Sequence, residues 1–194
     1  MSLFDKIAPV YGMFFNFQTK YFSNIIENVK EEFDIIKYEN VLDVGCGTGA
    51  LLKTMYTYGL EVTGVDASMG MLAQAKKRLK DLPIELMHVI PDKRLPFDDK
   101  SYDVVITSYV AHGLKPEERI KLYKEMRRLA KKFVIIYDYN ENRAPLTTIL
   151  EWLENGGYFN FIKIAQKEMK QVFENIKKIN VDTRAAWYIC NLND

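Results

Sequence analysis

The run Val41-Leu42-Asp43-Val44-Gly45-Cys46-Gly47-Thr48-Gly49-Ala50 limits what this chain can fold into more than any other stretch. Its apolar start reads as a buried strand, its alternate glycines allow a tight turn, and the residues after them suit a helix. Strand, glycine turn and helix in that order let a ligand approach backbone N–H groups at the end of a parallel strand. A second apolar run, residues 60–65, ends in Asp66, about twenty residues on, where a carboxylate would meet the hydroxyls of a ribose. Together they point to a nucleoside-containing cofactor.

Strand and helix patterns alternate after residue 40, and the two ends depart from that alternation. Residues 41–44, 60–65, 84–89, 103–107 and 133–137 are short runs rich in apolar or β-branched side chains. Helical spacing lies between most of them: Leu72, Ala75 and Leu79 share one face, as do Ile120, Tyr123, Met126 and Leu129. Lys115-Pro116-Glu117-Glu118 opens the later helix with proline and acids suited to a first turn. Near-continuous apolar strands between helices imply a sheet covered on both faces. Strand candidates at 178–181 and 185–190 are joined by Asp182-Thr183-Arg184, a link too short for a crossover, so they pair antiparallel. The expected fold is α/β: a doubly wound, Rossmann-like, mostly parallel seven-stranded sheet with an antiparallel C-terminal hairpin strand. Residues 1–194 read as one domain, with 1–30 as an N-terminal lid and helix segment built on an aromatic helix over 14–29.

Composition removes several function classes. Of 194 residues, 48% are hydrophobic and 27% charged, which is globular and not disordered. Charge is balanced, 27 Lys+Arg against 26 Asp+Glu, so no chain-wide footprint for nucleic acid is expected. The basic clusters Lys76-Lys77-Arg78, Arg127-Arg128 and Lys131-Lys132 read as solvated faces on or beside helices. Two separated cysteines, Cys46 and Cys190, do not make a disulfide scaffold and fit a reducing interior. No signal-peptide pattern and no membrane-length apolar run is present, so a cytoplasmic location is expected, with no membrane partner. Monomer and homodimer both remain open.

Read literally, Gly45-x-Gly47-x-x-Ala50 satisfies a dinucleotide fingerprint, which admits NAD. Asp43 argues against it. A carboxylate at the end of the first strand would lie close to the pyrophosphate that the adjacent helix N-terminus attracts, and like charges in a partly dry cleft repel strongly. A cationic ligand is stabilised there instead. S-adenosylmethionine (SAM) carries such a cation in its amino group and another in its sulfonium.

These motifs resemble the class I SAM-dependent methyltransferases. Asp43-Val44-Gly45-Cys46-Gly47-Thr48-Gly49 is similar to the first family motif, and Val62-Thr63-Gly64-Val65-Asp66-Ala67-Ser68 to the next. The stretches from Leu95 to Val105 and from Val110 to Leu114 resemble the approach to the fourth strand and the loop after it. Phe4-Asp5-Lys6-Ile7-Ala8-Pro9-Val10-Tyr11 resembles the N-terminal segment of the small-molecule branch, which includes ubiquinone and menaquinone biosynthesis methyltransferases. The resemblance implies that Asp43, Gly45, Gly47 and Gly49 hold the methionine portion of SAM, with Cys46 a small neighbour filling space. It implies that Asp66 takes the ribose hydroxyls and that Ala67, Ser68, Met69 or Met71 line the adenine. Tyr11 and Ser108 complete the expected cofactor set. The family's acid for the adenine amino group is displaced here: Pro91 occupies its position, and Asp92 follows one residue later.

Methyl transfer from a sulfonium is an in-line displacement with a good leaving group, and alignment alone supplies about 7–11 kcal/mol of the barrier. The chain has no His-Glu-x-x-His, Gly-x-Ser-x-Gly or Cys-x-x-Cys, so metal or covalent hydrolysis has nothing to build on and no metal is expected. His112 is the candidate base because it follows the fourth strand on the ligand side; packing or capping a loop is its other reading. His88 and Asp103 read as structural. Tyr109, Tyr137, Asp138 and Tyr139 follow strands four and five and face the expected acceptor, while Tyr11, Phe14, Phe15 and Phe17 are lid candidates. With no large insertion, a small-molecule methyl acceptor fits better than a protein or folded RNA, and the product cofactor would be S-adenosylhomocysteine (SAH). A non-catalytic SAM or SAH binder would carry the same first two motifs, and an NAD-dependent oxidoreductase is the third reading.

Overall fold

The computed structural model describes Ala8, residues 12–142 and residues 157–192. Seven strands form one sheet in the order β3-β2-β1-β4-β5-β7-β6. They are β1 (Asn40–Val44), β2 (Glu61–Asp66), β3 (Glu85–His88), β4 (Tyr102–Ser108), β5 (Ala130–Tyr139), β6 (Asn175–Asp182) and β7 (Ala185–Asn191). The first five run parallel, and β7, inserted between β5 and β6, pairs antiparallel with both and alone runs against the rest. The expected doubly wound sheet and C-terminal hairpin are both present. Chain order reverses between β1 and β4, which opens the crevice where ligands bind in such sheets.

Alternation along each strand explains the two layers. Val41, Val104, Ile106, Ile135 and Tyr137 enter one apolar core, while Leu42, Val105, Val134 and Ile136 enter the other. The first core is covered by α1 (Phe15–Val29), α2 (Ala50–Thr57) and α3 (Met69–Arg78). The second is covered by α4 (Pro116–Leu129) and α5 (Gly157–Met169). Ile106 is fully buried at the sheet centre, so Ile106→Ala would leave a cavity and cost about 2–5 kcal/mol.

Within the segment expected as a lid, α1 packs one face on the sheet. Phe15, Phe22, Ile25, Ile26 and Val29 of α1 are buried, Phe22 packs edge-on against Tyr137, and the Tyr21 hydroxyl donates to Asp182 at 2.7 Å. An amphipathic helix with that many buried residues belongs to the sheet's cover. Phe14 and Phe17 are exposed, and Tyr11 lies outside the described residues. The basic clusters are partly neutralised within the chain. Arg128 binds Glu125 and Asp99, and Lys132 binds Asp103, whose carboxylate also takes the Glu39 N–H at the far end of β1 from the glycine turn. Asp103 is structural, as expected.

α4 and α5 are fastened by a buried ion pair. Arg119 donates through Nε and Nη2 to the two Glu168 oxygens at 2.6 and 2.8 Å, with both side chains almost fully buried. Its guanidinium also lies over the Phe161 ring. No helix among the described residues is long and apolar enough to cross a membrane.

Candidate cofactor and acceptor site

The turn after β1 is shaped by its glycines. Gly45, Gly47 and Gly49 have φ of 82°, 55° and 81°, a region that L side chains rarely adopt. A Cβ on Gly45 would lie 2.4 Å from Val110 Cγ2, so the turn and the loop after β4 approach closely at the crevice. A Cβ on Gly47 would meet nothing within 4 Å, which leaves open space above that peptide. The turn is tied to the neighbouring strand, because Gly45 and Cys46 N–H both donate to the Val65 carbonyl. Cys46 packs with its sulfur near Gly64, and burial, with Asp43 and Asp66 nearby, pushes its thiol well above the ordinary range. A buried thiol so raised carries little thiolate, which makes it a poor nucleophile.

Asp43 and Asp66 end this part of the sheet in different states. Asp43 is 1% exposed and its Oδ1 has no hydrogen-bond partner. Burial first, and Asp66 second, push its carboxyl up to about 8. An orphaned buried carboxyl oxygen costs about 1–3 kcal/mol, more if charged, so it favours an incoming donor or cation. Asp66 is partly open. Its two oxygens accept from Gly47 N–H and Ser68 N–H, each at 2.7 Å. Burial raises its pKa, against the lowering effect of those amides. Each oxygen keeps further acceptor capacity for ligand hydroxyls.

Around Asp66 the expected cofactor residues sort by exposure. Ser68 caps α3 by accepting from Met71 N–H at 3.1 Å, and the Met71 side chain is buried. Met69, at 62% exposure, is the neighbour left facing out. His88 ends β3 opposite Asp66, is exposed, and lies with Nε2 3.2 Å from the Ala67 carbonyl. Asp92 is turned to α4, where it pairs with Lys121 at 2.9 Å, and its φ is 62°. That ion pair competes with the adenine contact expected of it. Ser108 ends β4 in register with Tyr137.

Across the crevice lie aromatic rings. Tyr109, at φ 55°, is an uncommon conformation for a bulky residue; its N–H continues the ladder to the Tyr137 carbonyl at 2.9 Å. Its ring packs against Tyr137 and Tyr139, and Tyr139 packs against His112. His112 stands in a short 3-10 turn, Ala111–Gly113, with Nδ1 2.9 Å from Asp138 Oδ1. Sequence reasoning placed both residues on the acceptor side and missed that they pair. The available signal was an acid at the end of an apolar run, the same signal as Asp43 and Asp66. Among the described residues no cluster of metal-ligating side chains occurs.

Comparison with known proteins agrees with this geometry. Residues 41–132 match a family model described as a methyltransferase domain. The chain is 36% identical over 142 residues to a demethylmenaquinone methyltransferase of Thermotoga maritima, covering 68% of this chain and 57% of that protein. It is 28% identical to an uncharacterized methyltransferase of Staphylococcus carnosus, covering 92% and 87%. A Methanococcus maripaludis structure assigned as an S-adenosyl-L-methionine-dependent methyltransferase superposes with TM-score 0.76 at 17% identity, over 100% of this chain and 96% of the other. With this strand order, this glycine turn and these relatives, the chain is a methyltransferase homologue with the Rossmann-like fold of SAM-dependent methyltransferases.

Proposed function

We propose that the chain transfers a methyl group from SAM to a small-molecule acceptor held at the carboxyl ends of β4 and β5. The observation that carries the reading is Asp43 Oδ1, buried without a partner beside open space over Gly47. The SAM amino group supplies the missing donor and a positive charge that stabilises the ionised acid, whereas the pyrophosphate of NAD offers no donor and would disfavour its ionisation. The Gly45–Gly49 turn gives the backbone access, Asp66 holds the ribose hydroxyls, and exposed Met69 with Ser68 borders the adenine. SAM supplies an activated methyl carbon. The chain contributes alignment of an acceptor between Tyr109, Tyr139 and His112, and exclusion of water by the packed rings. A small acceptor agrees with the demethylmenaquinone named for one relative and with locally neutralised basic clusters.

The test is thermal unfolding with SAM, SAH and NAD added separately. A ligand at 100 times its Kd adds about 2.7 kcal/mol to stability. SAM and SAH are expected to raise Tm and NAD to leave it unchanged. A shift with NAD alone overturns the reading, and SAM binding without methylation of any acceptor favours a non-catalytic binder.

A further inference from the structure

The geometry points to His112 and Asp138 as a base and its positioning residue, and to an uncharged hydroxyl acceptor of the phenol or enol type; this rests on the SAM reading above. The two residues are 26 apart in sequence and meet because β4 and β5 are parallel neighbours whose carboxyl ends lie together. Asp138 is fully buried. Its Oδ1 accepts from Tyr139 N–H at 2.8 Å and faces His112 Nδ1 at 2.9 Å, while Oδ2 accepts from His112 N–H at 3.1 Å. Two main-chain amides therefore fix the carboxylate before the imidazole is considered. A carboxylate only accepts, so it places the imidazole proton on Nδ1 and leaves the Nε2 lone pair free to take another. The ring is held edge-on to Tyr139, with centroids 4.8 Å apart, and the side chain is 28% exposed on the ligand side of the sheet. A buried carboxylate and a partly exposed imidazole oriented by it form the arrangement that serves proton abstraction in other enzymes.

The acceptor class follows from charge. As the acceptor oxygen bonds to the methyl carbon, the C–S bond breaks with its electron pair left on sulfur, and the hydroxyl proton passes to His112 Nε2. The positive charge of the sulfonium thus reappears as an imidazolium beside Asp138, with no new charge separation. An ammonium acceptor finds no such support. The described carboxylates near this end of β5 and β6 are engaged: Asp138 by His112 and two amides, Glu141 by Lys178, and Asp182 by Tyr21.

Two measurements test this. The chain has only two histidines, so the imidazole 15N signals of the full protein can be assigned with His88→Gln. Neutral His112 is expected as the Nδ1–H tautomer, and Asp138→Asn is expected to remove that preference. A dominant Nε2–H tautomer in the wild type, or no change in Asp138→Asn, overturns the assignment of Asp138. The second measurement follows labelled methyl transfer from SAM to a panel of phenols and their amine counterparts. Phenols are expected to be methylated, with His112→Gln lowering kcat about 10²–10⁴-fold while the SAM Kd stays unchanged. Asp138→Asn should lower kcat with little change in the phenol KM. Methylation of amines alone, of no phenol in the presence of bound SAM, or at full rate in His112→Gln overturns the proposal. Failure of SAM itself to bind strikes the cofactor reading instead, and calorimetry reads it separately from the tautomer.

Discussion

On the donor side of the crevice, the polar groups lie within residues 43–68: Asp43, the glycine turn, Asp66 and Ser68 belong to two adjacent strands and their loops. On the acceptor side, His112 meets Asp138 across 26 residues, Tyr21 meets Asp182 across 161, and Arg119 meets Glu168 across 49. The donor side is a local motif whose shape is set by positive φ and short hydrogen bonds. The acceptor side exists only once β4, β5, α1 and α5 have packed. On the proposed reading the first binds a ligand common to many enzymes, and what distinguishes this chain resides in the second.

If the two sides are independent, damage to one should spare the other. The largest stability effect is expected from Arg119→Met, which strands Glu168 as an unpaired buried charge and should cost about 3–5 kcal/mol. Urea unfolding measures it; SAM affinity of the folded fraction should hardly change. A parallel loss of SAM affinity would mean that the two sides form one unit. Next comes Asp66→Ala, whose lost hydrogen bonds to a charged group, about 1.5–3 kcal/mol each, should weaken SAM at least tenfold by calorimetry. The His112–Asp138 tautomer should survive that change. Smaller still is Gly47→Ala, where a positive φ costs about 1–2 kcal/mol with no protein clash, so SAM affinity should fall more than stability. Gly45→Ala adds a clash with Val110, and pairing it with Val110→Ala should restore part of the stability.

The same contrast explains what was legible in the sequence. The strands, their covering helices and the hairpin follow from period-2 and helical spacing, and Asp43, Asp66 and the glycines follow from local order. Residue bounds shifted where polar residues join a strand: β5 begins at Ala130, ahead of the apolar run at Phe133, because Lys132 is held by Asp103. The family resemblance offered Met69 or Met71 as an adenine wall; Ser68 caps α3 at the Met71 N–H, and Met71 is buried while Met69 is exposed. Asp92 is drawn to Lys121, a partner 29 residues away that no local pattern announces. Phe15 and Phe14 look alike as aromatic lid candidates, and only the docking of α1 separates core from surface.

Asp43 offers the most direct test. Its carboxyl is pushed up to about 8 in the folded chain, from 3.8 ordinarily, chiefly by burial. Between those values the folded state binds the extra proton, so stability of the unliganded chain falls as pH rises from about 4 to about 8 and levels off above. A cation seated beside Asp43 reverses the preference and drives the proton off. Titrating SAM into the protein near neutral pH, in two buffers of different ionisation enthalpy, counts that proton. The expected result is release of about one proton per SAM bound, absent in Asp43→Asn, which binds SAM more weakly. Tight SAM binding with no proton released, or binding unchanged in Asp43→Asn, would contradict the role of the buried acid as the anchor for a cationic cofactor.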